Sequence, residues 1–240
     1  MYGPCLFRQG FFFILAPEQR YALPMLIDLR HLREEYASGK LDEQDAPADP
    51  IVLFTKWMNE AIQAQIPEPN AMTLATVNSL GRPTARVVLL KSFDRKGFVF
   101  FTNYQSNKGK ELAENPYGAL VFNWLELHRQ VRIEGSVEKI SEEESTAYFA
   151  ERPRGSQIGA WASPQSSPIP NRTYLETEFN QWEQKFKNEE HLPRPPQWGG
   201  YLLRPERIEF WQGRVSRLHD RLSYSLQNGH QGWSLERLAP

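Results

Sequence analysis

Four groups of residues in this 240-residue chain bring cations, hydroxyls and turns together in patterns suited to holding an anion. The first is Arg86-Val87-Val88-Leu89-Leu90-Lys91, an apolar run with a cation at each end. On a strand Arg86 and Val88 share one face, while Lys91 shares the other with Val87 and Leu89. Both cations can then stand at the rim of a sheet, although the run taken alone is more simply a core strand with two snorkelling ends. The second group pairs Phe101-Thr102-Asn103 with Ser106-Asn107-Lys108. A strand ending in Thr, then a Ser at a helix start, offers free backbone N–H groups and the positive end of a helix dipole. That dipole favours an acid in the first turn, so Lys108 stands against helix preference, and a bound phosphate would account for it.

The third group is Tyr148, Arg152 and Ser156, with Gln157 beside them. Tyr148 and Arg152 are four apart and so share a helix face. Phenol, guanidinium and hydroxyl together suit a phosphate monoester. The fourth is Trp211-Gln212-Gly213 followed by Arg217-Leu218-His219-Asp220-Arg221. Read as a strand, it places Arg217, His219 and Arg221 on one face and Asp220 on the other. Such a stack repels itself unless an anion lies against it.

Other chemistries are poorly served. No Ser in a nucleophile elbow accompanies His219 and Asp220, which argues against a hydrolase triad. The five His (31, 128, 191, 219, 230) show no ligand spacing, so no metal site is expected. The single Cys5 cannot close an internal disulfide, and a reducing, cytoplasmic setting fits. With 28 Lys+Arg against 29 Asp+Glu the net charge is -1, which excludes a strongly basic nucleic-acid binder. Six Arg and no Lys nevertheless fall between Arg194 and Arg221, and the guanidinium fork grips phosphate two bonds at a time. No dinucleotide glycine motif and no Walker motif occurs.

The elements that must position these groups are mostly short strands. Residues 11–16 (FFFILA) are too few for a membrane span, and residues 1–24 read as a poorly ordered extension. Residues 25–49 read as an N-terminal helix, with Leu32 and Tyr36 at helical spacing, and a linker. Asp49-Pro50 then opens a helix with Leu53, Trp57, Ala61 and Ala64 down one face. Strands follow over 71–77, 82–91, 98–101, 117–124 and 130–140, with a short helix capped by Ser106 through Glu114. Ser141 to Glu144 is a capping box for a helix ending at Pro153. A loop with Gly155 and Gly159 leads to a helix over 174–187. Strands over 198–204, 208–212, 222–227 and 232–238 complete the chain, the last two joined by an Asn228-Gly229 turn. The class is mainly β (α+β), a barrel with flanking helices.

At these residues the sequence resembles the pyridoxamine 5′-phosphate oxidase family, from about residue 29 to Pro240. The resemblance rests on HLREEY (31–36), RVVLLK (86–91), FFTN (100–103), SNKGKEL (106–112), RQVRIEG (129–135), FAERPRGSQIGAWASPQSS (149–167), WGGYLLRPERIEFWQG (198–213), RLHDR (217–221) and ERLAP (236–240). It implies an FMN-binding split β-barrel over 50–240, preceded by a lid segment, working as a homodimer with FMN at the interface. Arg86, Val87, Val88, Leu89, Leu90, Lys91, Phe101, Thr102 and Lys108 would hold FMN from one subunit. Gln130, Gln165, Ser166, Trp211 and Arg221 would hold it from the other. Lys91, Tyr148, Arg152 and Ser156 would bind the substrate phosphate, matching the third group above. Arg217, Leu218 and His219 would lie over the substrate ring, with Arg217 and His219 catalytic and Arg33 and Tyr36 covering them. The implied reaction is oxidation of pyridoxamine 5′-phosphate or pyridoxine 5′-phosphate by O2 to pyridoxal 5′-phosphate, with H2O2, and ammonia from the amine. Where the family usually has Ser-Arg-Lys this chain has Ser106-Asn107-Lys108, which removes one charged phosphate contact of about 1.5–3 kcal/mol. A split-barrel flavoprotein with another substrate, or a carrier of FMN or pyridoxal phosphate without activity, are the alternatives.

Overall fold

The structure is a computed structural model that describes Leu29, Leu32, Tyr36, residues 39–227 and residues 232–240. The chain divides into residues 1–34 and 35–240, and among the described residues every helix and strand belongs to the second unit. The expected extension over 1–24, Arg33 and the Asn228-Gly229 turn lie outside the described residues.

Helix α1 (Pro50–Gln63) starts as the sequence indicates: Pro50 is at the first helical position and the Asp49 side chain accepts from the Ile51 N–H. Its buried face carries Leu53, Phe54, Trp57, Met58 and Ala61, whereas Ala64 falls at the exposed C-cap. Strands β1 (Ala71–Val77), β2 (Pro83–Leu89), β3 (Ser92–Asp94) and β4 (Gly97–Asn103) follow. Helix α2 (Asn107–Glu114) leads to β5 (Tyr117–Trp124) and β6 (Arg129–Lys139). Helices α3 (Glu142–Glu151), α4 (Arg154–Ala162) and α5 (Arg172–Lys185) come next. Strands β7 (Trp198–Gln212), β8 (Asp220–Leu226) and β9 (Trp233–Arg237) end the chain.

All the pairings are antiparallel, in the order β2-β1-β5-β6-β7-β4-β3, with β8 on β7 and β9 on β8. The sheet curls into a half-barrel around α1. Phe54 meets the rings of Phe93, Phe98 and Phe122 edge-on at 4.9 to 5.0 Å, and Trp57 meets Phe210 at 5.2 Å. Phe54→Ala would remove about 3–5 kcal/mol from this core. A smaller cluster of Phe149, Ile158, Phe186, Leu192 and Trp198 seats α3 and α4.

Three expectations from sequence fail. The stretch with Gly155 and Gly159 is helix α4 rather than a loop: Pro153 ends one helix and stands at the N-cap of the next, and Ile158 and Ala162 turn inward. The strands over 198–204 and 208–212 are one 15-residue strand. Pro205 does not break it because a bulge lies there: Gly135 pairs with Pro205 and Glu134 with Arg207, leaving Glu206 as the extra residue. Arg217 and His219 are not on a strand with Arg221. A 3₁₀ turn, Val215–Arg217, holds Ser216 and Arg217 at φ 56° and 62°, and β8 starts only at Asp220.

Candidate active site

A cavity of about 700 Å³ opens where the end of β2, the end of β4, the start of α2 and the α3–α4 junction meet. Val87, Val88, Leu89 and Lys91 line one side, Phe101, Thr102 and Lys108 the floor, and Tyr148, Arg152, Ser156, Gln165 and Trp198 the rest. The β4–α2 turn is built by Asn103 and Ser106. The Asn103 Oδ1 accepts from the Gln105 N–H at 2.8 Å, and the Ser106 hydroxyl donates to the Asn103 carbonyl at 2.6 Å. This turn buries Lys108 in the first turn of α2, while Asn107 faces solvent. Among the described residues the Lys108 Nζ hydrogen-bonds only the Ser106 Oγ and the Gln165 Oε1, each at 3.4 Å, and Gln165 also accepts from Thr102 at 3.1 Å. Burial, then the nearby Arg86 guanidinium, lowers the Lys108 pKa below its ordinary value. A buried ammonium at a helix N-terminus, with two long contacts, is arranged for an anion.

Gln165 therefore sits with Thr102 and Lys108 of its own chain, beside the residues expected to hold FMN from one subunit rather than those expected from the other. Arg86 also departs from expectation. Its guanidinium turns away from the cavity to Glu111 at 3.1 Å and to the Thr76 and Thr84 hydroxyls. Glu111 has its pKa lowered overall by these hydroxyl and guanidinium bonds, which outweigh burial. The pair fastens α2 to β1 and β2 beneath Lys108. Leu90 is core, and Ser166, at φ 70°, is exposed outside the lining.

Tyr148, Arg152 and Ser156 do converge in the cavity, from α3, its C-cap and α4. Phe101 stacks on Tyr148 at 4.0 Å and on Trp198 at 5.3 Å. The Arg152 guanidinium lies 4.6 Å from the Trp198 ring centre and 5.7 Å from that of Phe149. Burial lowers its pKa from the ordinary value. Its Nη1 is buried and, among the described residues, is the one such side-chain nitrogen or oxygen without a hydrogen-bond partner. A cation left this way is costly unless an acceptor arrives.

A second cluster occupies the other end of β7. Gln130 pairs with Trp211 across β6 and β7, and Trp211 with Arg221 across β7 and β8, so the three form one row. Arg221 is gripped by both Glu209 oxygens, at 2.8 and 3.1 Å. The His219 ring lies 4.7 Å from Trp211 and 5.8 Å from Tyr36, and Tyr36 also packs on His128 at 4.5 Å. The Arg214 backbone N–H donates to His219 Nδ1 at 3.1 Å. A neutral His219 then carries its proton on Nε2. Desolvation, and next the Arg217 charge, lowers its pKa. Arg217 and Leu218 are exposed beside it. None of Gln130, Trp211, Arg217, His219 or Arg221 lines the cavity described above. Sequence reasoning passed over His128, Arg214 and Trp198; the pattern of a turn residue or an isolated aromatic carries no periodicity that would mark them.

Residues 58–186 match the family model described as Pyridoxamine 5′-phosphate oxidase, and residues 198–240 match the Pyridoxine 5′-phosphate oxidase C-terminal dimerisation region. The chain belongs to the pyridoxamine 5′-phosphate oxidase family. The first match spans the cavity residues except Trp198, and the second spans the His219 cluster of the fourth group. Pyridoxine/pyridoxamine 5′-phosphate oxidases of Cupriavidus taiwanensis and Polaromonas sp. are 55% and 58% identical, each over 215 residues; both alignments cover 90% of this chain, and 100% and 98% of those proteins. Among solved structures, PhzG of Burkholderia lata, in complex with tetrahydrophenazine-1-carboxylic acid, is 32% identical with a TM-score of 0.79, covering 85% of this chain and all of that one. A pyridoxamine 5′-phosphate oxidase-related FMN-binding protein of Nostoc punctiforme shares the fold, with a TM-score of 0.61 and 20% identity over 81% of this chain and 98% of that one. The family's split-barrel fold is thus that of this chain. No helix among the described residues is long and apolar enough to cross a membrane.

Proposed function

We propose that this chain is an FMN-dependent oxidase of pyridoxine 5′-phosphate and pyridoxamine 5′-phosphate that works as a homodimer in the cytoplasm. The observation that carries the substrate class is the buried, unpartnered Arg152 Nη1, in a cavity that also receives Tyr148, Ser156 and Lys91. A phosphate monoester supplies the missing acceptors, and a guanidinium can hold it two bonds at a time.

Lys108, Thr102, Gln165, Phe101 and residues 87–91 fit one part of FMN, since Lys108 is buried with only two long contacts among the described residues. Gln130, Trp211 and Arg221 of a partner would complete that hold, consistent with the match to a dimerisation region. FMN, when bound, supplies the acceptor for the hydride leaving the substrate's C4′ and returns the electrons to O2 as H2O2. The protein's own task is placement: Arg152, Tyr148 and Ser156 clamp the phosphate and so fix the ring, which can contribute several kcal/mol through proximity alone. His219, its pKa lowered and its proton on Nε2, can donate a hydrogen bond from that atom to the ring's substituents, while Nδ1 stays engaged by the Arg214 N–H. Arg217 favours negative charge developing nearby. The domain reading, an oxidase domain over 50–240 behind a lid segment, is part of the same proposal.

The PhzG likeness supports a second reading, in which the same flavin site takes a different substrate. The phosphate clamp separates the two. The purified protein is expected to be yellow, or to become so with FMN, and to release H2O2 with pyridoxine 5′-phosphate but not with unphosphorylated pyridoxine at equal concentration. A colourless protein that FMN cannot reconstitute overturns the proposal; a yellow one indifferent to the phosphate favours the second reading.

A further inference from the structure

Asp220 follows His219 directly, yet it takes no part in the ring cluster. Its Oδ1 accepts from Arg237 Nη1 at 2.9 Å, and its Oδ2 accepts from the Leu41 N–H at 3.1 Å. Arg237, on the last strand, also donates to the Leu41 carbonyl at 2.9 Å and to both Glu43 oxygens at 2.6 and 2.7 Å. These bonds hold the Glu43 carboxyl down at about 2. A further tie runs through Arg214: its side chain donates to the Gly39 carbonyl at 2.6 Å, and its backbone N–H holds His219 Nδ1. Gly39 is pressed so closely on Gln212 that a Cβ there would come within 2.9 Å of it. Tyr36, three residues before Gly39, packs on His219, and a Cβ on Gly213 would strike the Tyr36 ring. Residues 39–45 and 213–220, far apart in sequence, are therefore joined at both ends of the His219 turn.

We infer that Asp220 and Arg237 are positioning residues, forming a clasp that holds Tyr36 and His219 in one fixed relation over the substrate. This function of the clasp rests on the reading of His219 given above. The strain in the turn makes such a device necessary. Ser216 and Arg217 both stand in the left-handed region, which non-glycine residues hold only when the surroundings impose it. The bonds Asp220 makes to Arg237 and Leu41 fix one end of that turn, and Arg214 fixes the other. Residue exchange at Arg237, on a strand remote in sequence from Tyr36, should then loosen both segments together.

Peptide-level hydrogen exchange of the intact holoenzyme tests this, with Arg237→Gln and, in case that variant folds poorly, Asp220→Asn. Faster exchange is expected in 39–45 and 213–220 together, with the β5–β6 peptides unchanged. With pyridoxine 5′-phosphate, kcat should fall about tenfold while KM and FMN affinity stay within about twofold, because the phosphate clamp lies elsewhere. Arg237→Lys should restore part of both effects. Loosening of 39–45 with 213–220 unchanged overturns the inference, as does wild-type kcat in a loosened variant. Loss of protection across the whole sheet also overturns it, since Arg237 would then be only a support of the fold. Should the wild-type protein not oxidise the phosphate substrate, the function proposed above fails, while the exchange pattern still decides whether the clasp exists.

Discussion

Arg152 and His219 show how side chains of ordinary type become specific through what surrounds them. Arg152 is held over Trp198 with a buried Nη1 that no atom of the described residues satisfies, an arrangement that lowers stability until a ligand arrives. Arg152→Met keeps the apolar stem and removes the orphaned donor. Its melting temperature should equal or exceed that of the wild type, while KM for pyridoxine 5′-phosphate rises about 10- to 100-fold, the worth of a charge-assisted contact of about 1.5–3 kcal/mol. A lower melting temperature with unchanged KM would make Arg152 a structural residue. His219 is tuned toward neutrality, first by desolvation and then by Arg217. Its folded pKa lies below the unfolded value of about 6.5. Its contribution to stability is thus present above that pH and is lost as pH falls through the folded value. An NMR titration of its ring proton should give a midpoint below 6.5, moved upward in Arg217→Gln; a midpoint that stays or falls contradicts the assignment.

At the scale of elements, what was readable from sequence depended on whether a local signal decided the outcome. Asp49-Pro50, Ser106 and the Ser141–Glu144 box each cap the helix they announce, because a cap is a contact among neighbours in sequence. Alternation placed β1 to the residue, and the bounds read for β5 also match. Helix α4 was hidden by its glycines and by Pro153, which signal a loop until packing of Ile158 and Ala162 is known. The bulge at Pro205 was hidden because it exists only against β6. Arg217, His219 and Arg221 do not share a strand face: Arg217 lies on a strained turn with His219 just after it, whereas Arg221 is on β8 against Glu209. The turn of Arg86 toward Glu111 carries no local signal, because Glu111 lies 25 positions away on another element. Two glycines put the helix and the bulge to the test. A Cβ on Gly155 meets nothing within 4 Å, so Gly155→Ala should stabilise the protein to chemical denaturation by about 0.5–1 kcal/mol if α4 is a helix. A Cβ on Gly135 would stand 1.9 Å from the Arg204 carbonyl at the bulge, so Gly135→Ala should lower stability sharply. Equal effects at the two positions would refute both assignments.

At the scale of the molecule, a net charge of -1 conceals cations gathered into two separate clusters on one curled sheet. The cavity holds Lys108, Lys91 and Arg152, whereas Gln130, Trp211 and Arg221 form a row across the far part of β6, β7 and β8. Each cluster has half of what the proposed reaction needs: one gathers the cations and hydroxyls that would clamp a phosphate, the other presents His219 and Arg217. Joining the clusters across a two-fold axis would give each dimer two complete sites, every site drawing one half from each chain. Arg152→Met disables the cavity half, and His219→Ala disables the ring half. Each homodimer should turn over pyridoxine 5′-phosphate slowly. A heterodimer of the two, purified through a different affinity tag on each chain, contains one site with both halves intact and one with both disabled. It should recover about half of wild-type turnover per dimer. Recovery of that size cannot arise when each chain builds its own site, because every site would then carry one of the two lesions. A heterodimer no faster than its parents would show that Arg152 and His219 serve a site within a single chain.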